Sequence, residues 1–95
     1  MEGIIRLQKW YADQCDGDWE HQYGVKIDTL DNPGWTITID PGGTPQAELA
    51  FERVSLNCSD ADWMLCWIEN SKFEGRGDPQ KLDAMIQQFL IFAGL

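Results

Sequence analysis

The sequence has no long apolar run and few basic residues, and both shortages narrow the range of functions. Its purely apolar runs extend over only a few of the 95 residues, whereas a membrane-spanning helix needs about 20. Only 7 Lys and Arg stand against 16 Asp and Glu, which gives a formal charge of −9. Phosphate groups would repel such a chain. The sequence therefore argues against a membrane protein and against direct binding of nucleic acid, and it favours a basic protein partner.

Paired cysteine motifs and a complete phosphate-binding loop are also missing. Cys15, Cys58 and Cys66 are separated by 43 and 8 positions, with no C-x-x-C pair and no zinc-ribbon spacing. The glycine-rich segment Phe73–Gly77 lacks the spacing and the lysine of a P-loop. No basic start or apolar signal core precedes the first amphipathic pattern. We expect reduced, structural thiols in a cytoplasmic protein, with no metal and no other cofactor.

The residues that are present suffice for a folded domain. The chain is 43% hydrophobic and contains five tryptophans, which argues against disorder despite the charge. Its length fits a single domain over residues 1–95. A homo-oligomer is compatible with the sequence but is not indicated by it.

Helical periodicity marks both ends of the chain. Apolar residues recur at i, i+3 and i+7 from Ile4 and predict a helix over about residues 3–14. Near the other end, Asp78 is a candidate N-cap and Pro79 a candidate first helical residue. The predicted second helix has an apolar stripe and a C-terminal glycine, which are Leu82, Met85, Ile86, Phe89, Leu90 and Gly94.

Between the helices the period changes to two. Residues 25–29 and 35–39 alternate apolar and polar side chains on either side of a short turn, which predicts an antiparallel hairpin. A third strand is predicted over about residues 47–56, with a bulge or break near Glu52–Arg53 where its phase slips. A fourth strand, over residues 63–69, is apolar on both faces and is expected inside the sheet.

These elements predict an α+β fold with a four-stranded, meander-like antiparallel sheet. An N-terminal and a C-terminal helix flank the sheet, in the order α-β-β-β-β-α, and both are expected on one of its faces. The hairpin side chains expected to face the helices are Val25, Ile27, Trp35, Ile37 and Ile39. Those expected on the other face are Lys26, Asp28, Thr36 and Thr38. Trp63 and Trp67, like Trp35, are expected to fill the core.

The negative charge is concentrated after the first helix. Six acidic residues and one lysine lie between Asp13 and Asp31, so this segment carries −5 of the total −9. At its centre is the hexapeptide Asp16-Gly17-Asp18-Trp19-Glu20-His21. Aromatic anchors surrounded by charge are typical of binding hot spots. We therefore predict a protein-binding loop whose contacts are Asp16, Asp18, Trp19, Glu20, His21 and Asp31.

Three other interpretations of this loop are open. Asp16, Asp18 and Glu20 alternate like calcium ligands, but the remaining ligands of an EF-hand loop are missing. A small acidic hydrolase using Asp18, Glu20 and His21 is the alternative function. Adjacent Glu20 and His21 would, however, point to opposite sides of a strand. In the third interpretation the loop is simply solvated, and Trp19 covers the core beneath it.

Several motifs are spread over nearly the whole chain, and they are Trp10-Tyr11, Gln14–His21, Tyr23-Gly24, Thr29–Trp35, Trp63, Cys66, Phe73-x-Gly75-x-Gly77 and Leu82. Together they resemble the immunity protein 53 family, whose members are small bacterial proteins that accompany polymorphic toxins. Residues 41–62 carry little of the pattern. The resemblance implies a cytoplasmic antidote that binds a cognate toxin and blocks it, and it supplies no catalytic residue. Because nucleases bind phosphates and are often basic, a basic, nuclease-type toxin is the favoured partner.

Overall fold

The structure, a computed structural model, describes residues 2–44, 46 and 50–94. Its elements in chain order are α1 (Glu2–Gln14), α2 (Trp19–Gln22), β1 (Gly24–Leu30), β2 (Gly34–Asp40), β3 (Val54–Ser59), β4 (Asp62–Glu69), β5 (Lys72–Gly77) and α3 (Leu82–Phe92). This order confirms an α+β chain with helices at both ends. Across the described ranges, none of the helices has the length and apolar character needed to cross a membrane.

All five strands form one antiparallel sheet in the order β1-β2-β5-β4-β3. The hairpin β1–β2 and the meander β3–β4–β5 meet at its centre. Asn70 and Ser71 join β4 to β5 with φ angles of 53° and 64°, as in the tight turns that suit hairpins. This turn returns β5 along β4, and the free edge of β5 then pairs with β2. The predicted meander order is therefore wrong, because the last strand of the chain is the central one.

The prediction of four strands omits β5, because the inward positions of β5 carry little apolar signal. Phe73 points into the core, but the next two inward positions are Gly75 and Gly77. A Cβ atom on Gly75 would lie 2.7 Å from Ile37 Cγ2 and 3.0 Å from Met85 Sδ. The absence of side chains at these positions lets α3 approach the centre of the sheet. The glycine-rich segment Phe73–Gly77 is thus a central strand.

The third strand lies later in the chain than the sequence spacing predicts. Strand β3 covers Val54–Ser59, whereas residues 50–53 are not part of it and the predicted start at 47–49 lies outside the described residues. The irregularity in its pairing falls between Asn57 and Ser59 rather than before the strand. Because β3 is an edge strand with five of its six residues exposed, no apolar alternation marks it in the sequence. Strand β4, by contrast, is interior, as predicted.

The core lies between one face of the sheet and the helices α1 and α3. Ile37 and Ile39 of β2 are fully buried in it, together with Phe73 of β5 and with Met85 and Phe89 of α3. Helix α3 packs across β2, β5 and β4, and α1 packs against α3. The opposite face of the sheet, called the open face below, is not covered by either of these helices.

Alternation along the strands confirms one prediction about the two faces and corrects another. Ile27 of β1 pairs with the buried Ile37 and therefore lies on the predicted face, although it remains 39% exposed because β1 is an edge strand. The prediction that Trp63 and Trp67 fill the core is wrong. Their strand neighbours Met64 and Cys66 are buried, so both tryptophans point to the open face, where they are half-buried.

Helix α3 begins at Leu82, later than Asp78 and Pro79 predict. A turn precedes it, in which the Lys81 N–H group donates to the Asp78 carbonyl at 3.0 Å. At its other end, Gly94 has a φ angle of 76°, as expected of the glycine that follows a helix.

The carboxylate of Asp78 connects the start of α3 to β4. It is fully buried and accepts the backbone N–H groups of Trp63 and Gln80, both at 2.8 Å. The Lys81 ammonium donates to it at 2.8 Å and to Asp62 at 2.6 Å. The hydrogen bond from Lys81, together with those from the two backbone N–H groups, holds the pKa of Asp78 below its ordinary value.

The free thiols provide a test of this core. Cys66 is fully buried, whereas Cys15 and Cys58 are exposed, and burial raises the pKa of the Cys66 thiol to about 11. At pH 8, an aromatic disulfide reagent should therefore modify two thiols of the folded chain quickly and the third only after unfolding. Cys66→Ala should leave the number of rapidly modified thiols in the folded state unchanged, and it should lower the free energy of unfolding by about 1–3 kcal/mol. Rapid reaction of all three thiols in the folded protein would contradict the packing of β4.

Asp78 should make the stability of the fold depend on pH. The pKa of Asp78 is lower in the folded protein than in the unfolded chain. Its contribution to the free energy of unfolding is therefore present at pH values above the ordinary pKa range of carboxyl groups, and it is lost as the pH falls through that range. Asp78→Asn would aim amide hydrogens at donor groups, and it should lower Tm at pH 7 by at least about 5 °C. This difference should narrow towards pH 3 in thermal denaturation. Asp13→Asn, which breaks only an exposed pair with Lys9, is the control and should change Tm little. If the difference in Tm between Asp78→Asn and the wild type did not vary with pH, the charged state assigned to Asp78 would be refuted.

Candidate protein-binding loop

The predicted binding loop, residues 16–21, is closed by two of its own carboxylates, and we call it the acidic loop. Asp16 Oδ1 accepts the backbone N–H groups of Asp18 and Trp19, both at 2.9 Å. Glu20 Oε1 accepts the Asp16 N–H group at 3.0 Å, and Glu20 Oε2 accepts that of Gly17 at 2.9 Å. The two carboxylates thus bind the backbone reciprocally, and four N–H groups at the start of the loop have partners within it.

These hydrogen bonds favour the charged forms of both carboxylates. The backbone N–H groups of Trp19 and Asp18 lower the pKa of Asp16. Those of Glu20 itself, Asp16 and Gly17 lower the pKa of Glu20. The charged carboxylates are the ones that close the loop. The closed loop is therefore stable at pH values above the ordinary pKa range of carboxyl groups, and it becomes less stable as the pH falls through that range.

Trp19 points inward from the loop and is only 7% exposed. Its indole N–H group donates to the Gly42 carbonyl at 2.7 Å. Its ring lies 5.7 Å from the centroids of both Trp10 and Tyr11, and Trp10 lies 5.0 Å from Phe89. The structure therefore agrees with the interpretation in which Trp19 covers the core. In this position the side chain supports the loop from beneath and offers almost no surface to a partner.

The structure does not assemble the three residues of the hydrolase hypothesis into one site. Residues 19–22 form the short helix α2 instead of a strand. A groove of about 440 Å³ beside α2 is lined by Glu20 and His21 but not by Asp18. Among the described residues, no hydrogen bond joins the side chains of Asp18, Glu20 and His21, and Glu20 is engaged in closing the loop. The carboxylates of Asp16 and Glu20 thus bind backbone donors. Over the described ranges, no three acidic, His or Cys residues are grouped to hold a metal ion.

Asp31, the remaining residue of the predicted set, lies apart from the acidic loop. The loop precedes the first residue of β1, and Asp31 follows the last one. At about 3.3 Å per residue, the seven residues Gly24–Leu30 separate them by roughly 23 Å. Asp31 therefore belongs to the opposite end of the sheet, where Asn32 and Asp60 line a different groove.

Asp18 is the carboxylate of the loop that is most available to a partner. It is exposed, and within the described part of the chain its side chain accepts no hydrogen bond. Asp16 accepts its backbone N–H group, and Glu20 accepts those of the two preceding residues. The arrangement presents a negative charge on a closed, well-anchored loop, which is suited to meeting a basic surface.

A second cluster, which the sequence pattern does not predict, lies on the open face. Arg53 and Arg76 lie over the ring of Trp67, with their guanidinium carbons 5.7 Å and 5.4 Å from its centroid. The alternation of Trp63, Leu65 and Trp67 could have indicated an outward-facing row. The residues between them are also apolar, however, and a strand apolar on both faces equally fits a buried position.

Comparison with known proteins identifies one family. The model of the family Immunity protein 53 matches residues 4–93, a range that includes the acidic loop, all five strands and α3. No curated protein and no solved structure shows significant similarity to the chain.

The inward position of Trp19 can be tested through stability. Trp19→Ala should lower the free energy of unfolding by about 3–5 kcal/mol, because it empties a site between α1 and the Gly42 carbonyl. Trp19→Phe keeps an aromatic ring but loses the hydrogen bond, and it should lower the free energy of unfolding by less, about 1–2 kcal/mol. Urea denaturation followed by circular dichroism measures both values. Asp18→Ala in the same loop is the matched control and should be close to neutral; a neutral Trp19→Ala would show that the ring does not belong to the core.

Proposed function

Since the chain belongs to the Immunity protein 53 family, we propose that it binds a cognate bacterial toxin and neutralises it by non-catalytic sequestration. The partner is then a protein, and the relevant site is a surface rather than an enclosed active site. We place the complex in the cytoplasm, where free thiols such as the three of this chain stay reduced.

The acidic loop is the surface that we assign to the toxin. The observation that carries this assignment is its reciprocal closure, in which Asp16 and Glu20 pair four backbone N–H groups and leave Asp18 exposed. A loop that is already ordered loses little conformational entropy when it binds. The loop therefore combines a concentrated charge with a preformed shape.

The toxin that fits this loop is basic. The segment Asp13–Asp31 carries −5 of the net −9 charges, and charge of one sign steers an oppositely charged partner during approach. Because proteins that bind phosphates are commonly basic, a nuclease is the kind of toxin that we favour. Covering its basic surface would also hinder its access to nucleic acid.

The other residues of the predicted set have different places in this proposal. Trp19 holds the loop from beneath, and His21 lines the groove beside it. Asp31 lies roughly 23 Å away along β1. An interface of standard size, about 800 Å² per partner, is roughly 30 Å across. One toxin can therefore contact both sites if the acidic loop lies towards one edge of its interface and Asp31 towards the opposite edge.

Binding kinetics with the cognate toxin domain test the proposal. Asp18→Lys should slow association several-fold at low salt, because it reverses a steering charge without touching the hydrogen bonds that close the loop. The effect should shrink at high salt, since the Debye length is only about 8 Å at physiological ionic strength. Surface plasmon resonance at two salt concentrations measures both rates.

Asp60→Lys is the matched control for this experiment. It makes the same change of charge at an exposed position in the β3–β4 turn, away from the acidic loop, and it should slow association less than Asp18→Lys. Equal effects of the two variants would mean that only net charge matters and that the loop is not the contact. If the wild-type chain did not bind the toxin, the proposed function itself would be rejected.

A further inference from the structure

The open face of the sheet is a broad surface that no helix of the described chain covers. Helices α1 and α3 both pack on the opposite face. The side chains on the open face include three cations on strands, two half-buried tryptophans and a leucine, which are Lys26, Lys72, Arg76, Trp63, Trp67 and Leu65. Arg53, just before β3, reaches over the same face.

The centre of this surface consists of Arg53, Trp67 and Arg76, which we call the Arg–Trp cluster. Both guanidinium groups lie over the Trp67 ring, and contacts of this kind attract a cation to an aromatic face. Arg76 is held in place by a hydrogen bond of 2.6 Å from its Nη1 atom to Thr36 Oγ1. Arg53 is exposed and, among the described residues, forms neither a hydrogen bond nor an ion pair.

The carboxylates nearest the cluster are already engaged. Glu74 accepts a hydrogen bond from Thr38 Oγ1 at 2.7 Å and lies 3.9 Å from the Arg76 guanidinium. Glu69 accepts the Trp67 indole N–H group at 3.1 Å. Each of them holds a neighbouring side chain in place, and neither reaches Arg53.

The cations on this face are mostly unpaired. Over the residues that the structure describes, Lys26, Arg53 and Lys72 form no ion pair. This is unexpected in a chain with 16 acidic and 7 basic residues, where carboxylates are plentiful. The open face as a whole is close to neutral, because it also carries the carboxylates Asp28, Asp40, Glu69 and Glu74. The Arg53 guanidinium, which has no ion-pair partner among the described residues, is still available to a carboxylate of another molecule.

The open face is continuous with the acidic loop. The groove of about 440 Å³ beside α2 is lined by Glu20 and His21 from the loop and by Lys26, Thr38 and Lys72 from the open face. Thr38 pairs in register with Glu74, and Glu74 pairs with Trp67. A partner that occupies the loop can therefore extend along this row of side chains to the Arg–Trp cluster.

We propose that the Arg–Trp cluster is a second contact surface for the toxin, and that it takes a carboxylate-bearing segment with an apolar side chain against Trp67. This inference rests on the proposed function, because it names the toxin as the occupant. Trp and Arg are the residues most enriched in binding hot spots, and the guanidinium group pairs with carboxylates through two hydrogen bonds. The toxin then presents basic groups to the acidic loop and acidic groups to the cluster, which fixes its orientation.

The equilibrium affinity for the cognate toxin domain tests the surface. Arg53→Glu should raise Kd at least about tenfold, as expected for a residue of a hot spot, and Trp67→Phe should also raise it while keeping an aromatic ring on β4. Arg6→Glu makes the same change of charge on α1, on the opposite side of the sheet, and should leave Kd within about twofold. Circular dichroism verifies that each variant is folded.

Two peptides test the chemistry of the cluster without the toxin. One is the capped pentapeptide Glu-Asp-Leu-Glu-Asp, and the other is its basic counterpart Lys-Lys-Leu-Lys-Lys. In NMR titrations of the full chain, the acidic peptide should shift the Trp67 indole N–H resonance and the basic one should not. Arg53→Glu should abolish the shift.

The possible failures of the two proposals are distinguishable. If the toxin binds the wild type and Arg53→Glu with the same Kd, the second contact surface is refuted, whereas the proposed function stands. If the toxin does not bind the wild type, the proposed function is refuted, and the inferred occupant with it. If both peptides shift the Trp67 resonance equally, or neither does, the preference of the cluster for carboxylates is refuted.

Discussion

A chain of aromatic contacts joins the centre of the sheet to the acidic loop, and most of the structure depends on it. The ring centroids of Phe73 and Phe89 are 5.5 Å apart, those of Phe89 and Trp10 are 5.0 Å apart, and those of Trp10 and Trp19 are 5.7 Å apart. The four rings belong to β5, α3, α1 and α2. Since aromatic pairs prefer particular geometries and bury large areas, this chain sets the positions of the helices and of the loop relative to the sheet.

The high negative charge of the protein is kept out of this core. Asp78 is the only acidic residue that is fully buried among the described residues, and Lys81 and two backbone N–H groups balance its charge. Asp16 and Glu20 also bind backbone donors, but at the surface. Carboxylates in this chain thus organise turns and loop ends locally, while the aromatic and aliphatic side chains provide the long-range contacts. This separation lets a small domain carry a charge suited to binding a basic partner.

The topology of the sheet brings the acidic loop close to the open face, a surface of mixed charge. Strand β1 follows the acidic loop, whereas β5 carries Lys72 and Arg76 to the middle of the sheet, beside β4 and its Trp67. The acidic loop borders the groove beside α2 directly, and the Arg–Trp cluster is connected to that groove through the paired strands. A partner with only one kind of charge would match part of this combined surface and be repelled by the rest. The arrangement therefore favours a partner of a particular pattern of charge over any basic protein.

The sequence by itself determined the features that depend on local spacing. It predicted α1, the body of α3, the hairpin β1–β2 and the interior strand β4, because apolar periodicity is a property of neighbouring residues. It also located the acidic loop and the resemblance to the family. It did not predict the central strand β5, because the glycines of that strand become informative only when α3 lies across them.

Only the tertiary structure decided which way the functional side chains point. Trp19 turns inward because Trp10 and the Gly42 carbonyl, distant in sequence, complete its site. Trp67 turns outward because the register of β4 places Cys66 in the core, and a shift of one residue would exchange the two faces. Register is set by pairing with distant strands, so the spacing of residues along the chain could not decide between these orientations.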